Sequence, residues 1–241
     1  KAKKDSLVND LKKYTTIYAD EITYLKNEEK VFTTGNSKAV NENNIITALS
    51  LEYDKLNNIF KAKKDAIVND LKKDTTIYAD EITYLKNEEK IFTTGETEAL
   101  IEKKYKFNSE NVSYFRNVGN LSSQKKSSIE DDNGNIYKLD NFSYNINDEL
   151  LKGTKVEVLA KVDDNKTDQY FFSEGFFNFK DKSHISKETK IKTHKDVFGD
   201  IDQDPRIYGS SSNSNEYKTV VNNAIFTSCK LNDNCPPWSI K

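Results

Sequence analysis

Residues 1–35 are written out a second time at 61–95, with changes only at Ser6/Ala66, Leu7/Ile67, Tyr14/Asp74 and Val31/Ile91. A chain that repeats its text must fold into a structure that repeats, so the period comes before any other feature. Sixty is twice the underlying unit. The pattern apolar-x-small-x-x-apolar-x-Tyr occurs at Ile17, Ala19, Ile22, Tyr24, again at Ile46, Ala48, Leu51, Tyr53, and again at Ile77, Ala79, Ile82, Tyr84. Diverged forms follow at Phe107, Ser109, Val112, Tyr114 and at Tyr137, Leu139, Phe142, Tyr144. A sixth is placed at Phe172, Glu174, Phe177, Phe179, after the polar insertion Asp163 to Asp168. The units, of about thirty residues each, span 14–43, 44–73, 74–103, 104–133, 134–163 and 169–200, with 201–241 as a separate ending.

The spacing 17, 19, 22, 24 is period two broken once by a step of three, where a helix would need steps of three and four throughout. A bulge at Asp20-Glu21, Asp80-Glu81 and Glu110-Asn111 would keep both halves of a long strand facing one interior. Polar turns follow each Tyr, then a second β-prone stretch such as Val31-Phe32-Thr33-Thr34 or Ile91-Phe92-Thr93-Thr94. A helix over Asp20 to Lys30 or Asp5 to Lys13 suits the Glu, Lys and Leu content but not the register of the repeat. The expected fold is all-β: a repetitive β-jelly roll or open β-solenoid of stacked units, in a single domain. Lys1 aligns with Lys61, so the chain is expected to begin partway through a unit.

With 13 Phe and 13 Tyr but only 8 Gly and 3 Pro among 241 residues, the chain has the aromatic content of a packed core rather than a tail. No apolar run is long enough to span a bilayer as a helix. Lys plus Arg (37) nearly cancels Asp plus Glu (39), and only Arg116 and Arg206 are arginines, which argues against a phosphate-reading nucleic-acid surface. Asn is abundant and Met absent, and neither points to a mechanism. His184, His194, Cys229 and Cys235 are the whole soft-ligand inventory, and their spacing matches no zinc motif. Both His read as solvated. No nucleophile elbow or phosphate-cradling loop is present, and the pairs Asp131-Asp132 and Asp163-Asp164 sit in turn-like segments, so no catalytic residue, metal or cofactor is expected. Asn-x-Ser/Thr matches are frequent by chance in so Asn-rich a chain. For the cysteines a local Cys229–Cys235 disulfide, pairing elsewhere in a longer chain, and two free thiols all remain open.

The recurring stripe has two readings. It is a closed core, or it is the lining of an apolar trough in which acyl chains gain roughly 0.8 kcal/mol per buried methylene. The small residues Ala19, Ala48, Ala79 and Ser109 would leave room inside such a trough.

The segments Ile17-Tyr18-Ala19-Asp20-Glu21-Ile22-Thr23-Tyr24 and Ile46 to Asp54 resemble the A-D-x-[I/L]-x-Y-D repeat of OstA-type lipopolysaccharide-transport domains. Further on, Phe198-Gly199, Asp204-Pro205-Arg206-Ile207-Tyr208-Gly209, Ala224-Ile225-Phe226-Thr227-Ser228-Cys229 and Cys235-Pro236-Pro237-Trp238-Ser239-Ile240 resemble the end of the periplasmic domain in the LptD family. The resemblance implies a twisted β-jelly roll on the periplasmic side of a Gram-negative outer membrane, non-enzymatic, shielding lipid A acyl chains of lipopolysaccharide. It implies edge-strand pairing with the periplasmic bridge protein LptA, a membrane barrel that follows, and the outer-membrane lipoprotein LptE as a plug of that barrel. The lipid-contacting residues would be the stripe itself. Cys229 would pair with a barrel cysteine or with Cys235. The duplication would lengthen the trough. From a different class, a structural β-solenoid, an adhesin or stalk with a dry core, accounts for the same stripe. A hydrolase on a solenoid would need a recurring exposed carboxylate cluster, which the sequence lacks.

Overall fold

The computed structural model describes residues 2–10, 15–199 and 201–229. It is all-β, and the chain divides into two compact units, 1–125 and 126–241.

In unit 1 the strands are β1 (Ala2–Asp10), β2 (Thr15–Leu25), β3 (Lys30–Thr34), β4 (Ser37–Asn41), β5 (Asn44–Ala48), β6 (Ser50–Asp54), β7 (Ile59–Asp70), β8 (Thr75–Leu85), β9 (Lys90–Ile101), β10 (Tyr105–Glu110), β11 (Ser113–Phe115) and β12 (Asn120–Ser123). They form an antiparallel meander in which each long strand bends at its middle and each pair of short strands meets at the same bend. The first half of β2 pairs with β4 and its second half with β3. β7 likewise pairs with β6 through Ile59 to Lys63 and with β5 through Asn69 and its neighbours. Each long strand, or strand couple such as β3 with β4, therefore belongs to two sheets. One sheet, wall one, holds Thr15–Ala19, β4, β5, Ala66–Asp70, Thr75–Ala79, Thr97–Ile101 and β10. The other, wall two, holds Glu21–Leu25, β3, β6, Ile59–Lys63, Glu81–Leu85, Lys90–Thr94 and β11.

The three-residue step in the sequence is this corner. Register shifts fall beside Asp80-Glu81, but the extra residue lies in its partners, between Lys63 and Ala66 of β7 and between Thr94 and Thr97 of β9, and not in β8 where the bulge was expected. Left-handed backbone turns the chain at Gly35 (φ 72°), Lys64 (φ 63°), Gly95 (φ 83°) and Asn111 (φ 51°), a conformation that Gly adopts freely and Asn more readily than most. The corners stack: Asp20 N–H donates to Gly35 O (3.0 Å), Gly35 N–H to Leu49 O (2.9 Å) and Leu49 N–H to Lys64 O (3.0 Å). Amides that a bend would orphan are thus satisfied by the neighbouring bend. At the outer ends Asn and Asp make the turns: Asn41 Oδ1 accepts from Asn44 N–H (3.0 Å) and Asp54 Oδ1 from Asn57 N–H (3.0 Å). The abundance of Asn thus has a structural use, since its short side chain mimics a turn of backbone.

Unit 2 repeats the plan with β13 (Ser127–Glu130), β14 (Ile136–Asn145), β15 (Leu150–Lys161), β16 (Thr167–Asn178), β17 (Ser183–Lys192), β18 (Arg206–Ser214), β19 (Thr219–Asn222) and β20 (Ile225–Thr227). Asn141 (φ 50°), Lys155 (φ 47°) and Glu188 (φ 50°) mark its corners. β18 pairs with β20 before its corner and with β19 after it. Here wall one contains Ile136 to Leu139 and Thr167 to Phe172, and wall two contains Phe142 to Asn145 and Gly175 to Asn178.

Candidate functional site

Alternation along each bent strand sends one face of both walls into a shared interior, the cleft between them. Of the residues expected to line a lipid trough, Ile17, Ala19, Ile22, Ile46, Ala48, Leu51, Tyr53, Ile77, Ile82, Tyr84, Phe107, Val112, Tyr114, Leu139, Phe142, Tyr144 and Phe177 are all buried there, most at 0–3% exposure. Ala79 and Phe179 are half-buried, and Tyr24 is exposed. The cleft is thus filled by its own side chains: Tyr53 stacks on Phe60 with centroids 4.1 Å apart, and Phe60 on Tyr84 at 6.4 Å. The small residues Ala19, Ala48, Ala79 and Ser109 sit beside the corner, Ala19 and Ala48 buried and Ala79 and Ser109 half-buried.

The returning strands bring a second set of inner residues that the search for a Tyr-ended pattern passed over. Val31, Thr33, Ser37 and Ala39 are buried, as are their counterparts Phe60, Ala62, Ala66, Val68 and Ile91, Thr93, Thr97, Ala99. Their signal is a step pattern of two, four, two. The middle pair meets across the corner: Thr33 Oγ1 donates to Ser37 Oγ at 2.6 Å, and the Thr93 and Thr97 hydroxyls are also 2.6 Å apart. Thr33 Oγ1 accepts from Leu51 N–H (2.8 Å) and Thr93 Oγ1 from Val112 N–H (2.9 Å). A hydroxyl here satisfies an amide that the bend withdraws from the ladder, and in β7, Ala62 and Ala66 replace the pair with methyls.

The sixth repeat is registered differently from expectation. Pairing aligns Phe177 with Leu151, which faces Tyr144, and aligns Tyr170 with Val158, which faces Tyr137. The equivalent positions are therefore Tyr170, Phe172, Gly175 and Phe177, two residues earlier than 172, 174, 177, 179. Gly175 hid the match. A Cβ there would lie 2.5 Å from Phe177 Cε2, so the apolar position is emptied to admit a ring.

At the mouth, opposite the corner, the two units close their walls by different means. In unit 1, Arg116 reaches from the end of wall two to Asp70 at the end of wall one, with Nε donating to Oδ2 at 2.8 Å, and Tyr114 Oη donates to the same oxygen at 3.2 Å. Arg116 Nη1 also donates to Tyr84 Oη (3.0 Å) and pairs with Glu89. Asp70 Oδ1 meanwhile accepts from Lys72 N–H at 3.1 Å. Arg116 and Asp70 are both buried, which such a pair tolerates because the carboxylate accepts from Arg116, Tyr114 and the amides of Lys72 and Lys73, while Nε and Nη1 of the guanidinium are bonded. Desolvation pushes the Tyr84 phenol up to about 12 and Tyr114 higher still, where the Asp70 charge adds to burial. In unit 2 the mouth is aromatic. Tyr137 of wall one meets Phe177 edge-on at 5.4 Å and Phe179 at 5.0 Å, and Phe172 lies 5.9 Å from Phe177.

The histidines are not solvated as the sequence suggested. His184 faces inward by strand alternation, between Phe172 (5.3 Å) and Phe177 (5.7 Å), and burial lowers its pKa. His194 Nδ1 lies 2.8 Å from Asp168 Oδ1, which also accepts the His194 amide at 2.8 Å. Cys229 is disulfide-bonded. Cys235, with the Pro236-Pro237-Trp238 stretch, lies outside the described residues. Among the described residues no cluster of three or more His, Cys, Asp or Glu is arranged to hold a metal.

No protein-family model matches the chain, and no curated protein matches it. Among solved structures it is similar to LptH from Pseudomonas aeruginosa, described as the LptA-homologous periplasmic component of the lipopolysaccharide transport device. The likeness has a TM-score of 0.40 at 15% identity and covers 45% of this chain and 80% of that one.

Proposed function

We propose that the chain is a non-enzymatic lipid-handling domain of lipopolysaccharide transport, working in the periplasm, with lipid A acyl chains passing between the two walls. The observation that carries this reading is the construction of the cleft. Within each unit both walls present apolar side chains to one interior, and in unit 1 the mouth is drawn shut by one polar group, Arg116 with Asp70 and its tyrosines. Such a cleft admits a chain when the walls part by rotation at the corners, where backbone pairing is retained. The finer reading places the domain before an outer-membrane barrel of the LptD type, with LptA pairing at a sheet edge and LptE within the barrel, and it is supported by the ending around Asp204 to Gly209 and Ala224 to Cys229.

A second reading, a structural β-meander with a dry core, is favoured by the stripe burial at 0–3%. Photo-reactive residues at Leu51 and Val112 separate the two. Exposure of the protein to lipopolysaccharide should give crosslinks at both positions and none at the outward-facing Glu52. Folded protein with no crosslink at 51 or 112 would leave the structural reading standing. Ile82→Glu sharpens the result: a folded variant that no longer loads lipid fits an opening cleft, and failure to fold marks a permanent core.

A further inference from the structure

We propose that unit 2 carries, apart from the apolar cleft, a pocket for a phosphomonoester, held between the start of β16, the end of β17 and the start of β18. A cavity of about 320 Å³ opens there, with Gln169, Lys192, His194, Lys195, Asp204 and Arg206 in its lining. Three of these side chains are cationic and one is a carboxylate, in a chain whose net charge is −2. Among the described residues none of Lys192, Lys195 and Arg206 forms an ion pair with a carboxylate; Lys192 lies over the Phe171 ring at 5.6 Å instead. Positive charge gathered in a recess, three cations against the one carboxylate of Asp204, focuses its field on whatever anion enters.

The surroundings hold these groups in place. The link between β17 and β18 runs from 193 to 205, about three times the length of the links at 55–58 or 71–74, and long links in a compact fold tend to carry function. Its root is fixed to β16, because Asp168 Oδ1 takes both the amide and the Nδ1 of His194. Its far end is fixed by Thr193 N–H donating to Pro205 O at 3.1 Å and by Asp204 N–H donating to Ser228 O at 3.1 Å. Arg206 Nη1 donates to Asp204 O (3.0 Å) and Cys229 O (2.6 Å), which sets the plane of the guanidinium and leaves Nε and Nη2 to donate. A planar fork beside two ammonium groups suits a doubly charged oxyanion better than a carboxylate, since three cations share its charge and its oxygens take several donors at once.

The shared chemistry is a phosphate ester, from a lipid headgroup or from a soluble phosphosugar. Titration calorimetry of the 241-residue chain with glucose 1-phosphate and with inorganic phosphate should show saturable binding that weakens as salt rises. Vesicles of phosphatidylcholine with and without phosphatidic acid form the lipid arm. Binding confined to phosphatidic acid vesicles identifies a headgroup, binding of the sugar phosphate identifies a soluble ester, and either supports the site. Lys192→Gln with Lys195→Gln should weaken binding about tenfold or more, while Lys187→Gln, on the same strand but outside the pocket, should leave it unchanged. Lys195→Gln alone is an exposed change that folds and should weaken binding partially. Absence of saturable binding in every arm, or equal affinity in the Lys192/Lys195 variant and the parent, would overturn the proposal.

Discussion

Unit 1 and unit 2 are built from the same bent strand, yet they close their mouths with opposite chemistry. Unit 1 uses a buried ion pair with tyrosine hydroxyls around it, and unit 2 uses rings against rings. A buried ion pair is directional and costly to leave half-made, whereas aromatic contacts slide and re-form. The difference teaches that closure of such a cleft is not dictated by the fold. The bends and ladders are common to both units, and each mouth is set by the few residues that reach it.

Breaking the clasp in unit 1 should have the largest effect. Arg116→Met strands the Asp70 carboxylate in a dry site and should cost about 3–5 kcal/mol in urea denaturation. Adding Asp70→Leu should recover a substantial part of that loss, because neither charge is then left alone. A double variant no more stable than Arg116→Met would show that the tyrosine and Glu89 contacts, not the ion pair, hold the mouth. Next in size, Gly153→Ala in unit 2 should cost roughly 1–3 kcal/mol by overpacking, since the new methyl would lie 2.2 Å from Leu139 Cδ1. Leu139→Val in the same chain should restore part of it. Phe179→Ala, at the aromatic mouth, should cost about 2 kcal/mol in all, ring contact and half-buried area together, below the Arg116 change. If the two proved equal, the contrast between the mouths would be one of appearance only.

The pH dependence should divide the same way. Tyr84 and Tyr114 hold their protons more tightly folded than unfolded, so stability is intact below about pH 10, the ordinary phenol value, and falls as pH rises toward and past 12. His184 in unit 2 binds its proton less readily folded than unfolded, so its contribution is present above 6.5 and lost as pH falls through its lowered pKa. Circular dichroism melts across pH should show the alkaline limb flatten in Tyr84→Phe and the acid limb flatten in His184→Gln. The smallest effect belongs to exposed cross-strand pairs common to both plans. Lys106→Gln, diagonal to Glu98 (3.2 Å), and Lys187→Gln, opposite Glu174 (2.8 Å), should each leave stability almost unchanged, because solvent screens such pairs.

The bent strand was legible because its steps are local: 17, 19, 22, 24 already states a period of two with one break, although the extra residue of the bulge lies in the returning strands. The returning strands were less so, since Thr33 and Ser37 are inner residues that hydropathy counts as outer. Their 2-4-2 spacing, repeated at 91, 93, 97, 99, was the available signal. The sixth register slipped because Gly175 stands where an apolar residue was sought. The clasp could not be read at all. Arg116 and Asp70 are 46 positions apart, and nothing in the local text distinguishes Asp70 from Asp10, its copy in the duplication.

The period of the corners also bears on how such a chain can change in length. Two bent strands and their turns make one thirty-residue unit, and the 60-residue offset of the near-identical segments corresponds to four. Both numbers are even, so an inserted copy brings the backbone back to the same border heading the same way, and everything downstream keeps its partners. An odd count would reverse the direction of all that follows. Copying in whole units is therefore silent to topology, and a gene of this type can grow or shrink by duplication without inventing a new junction.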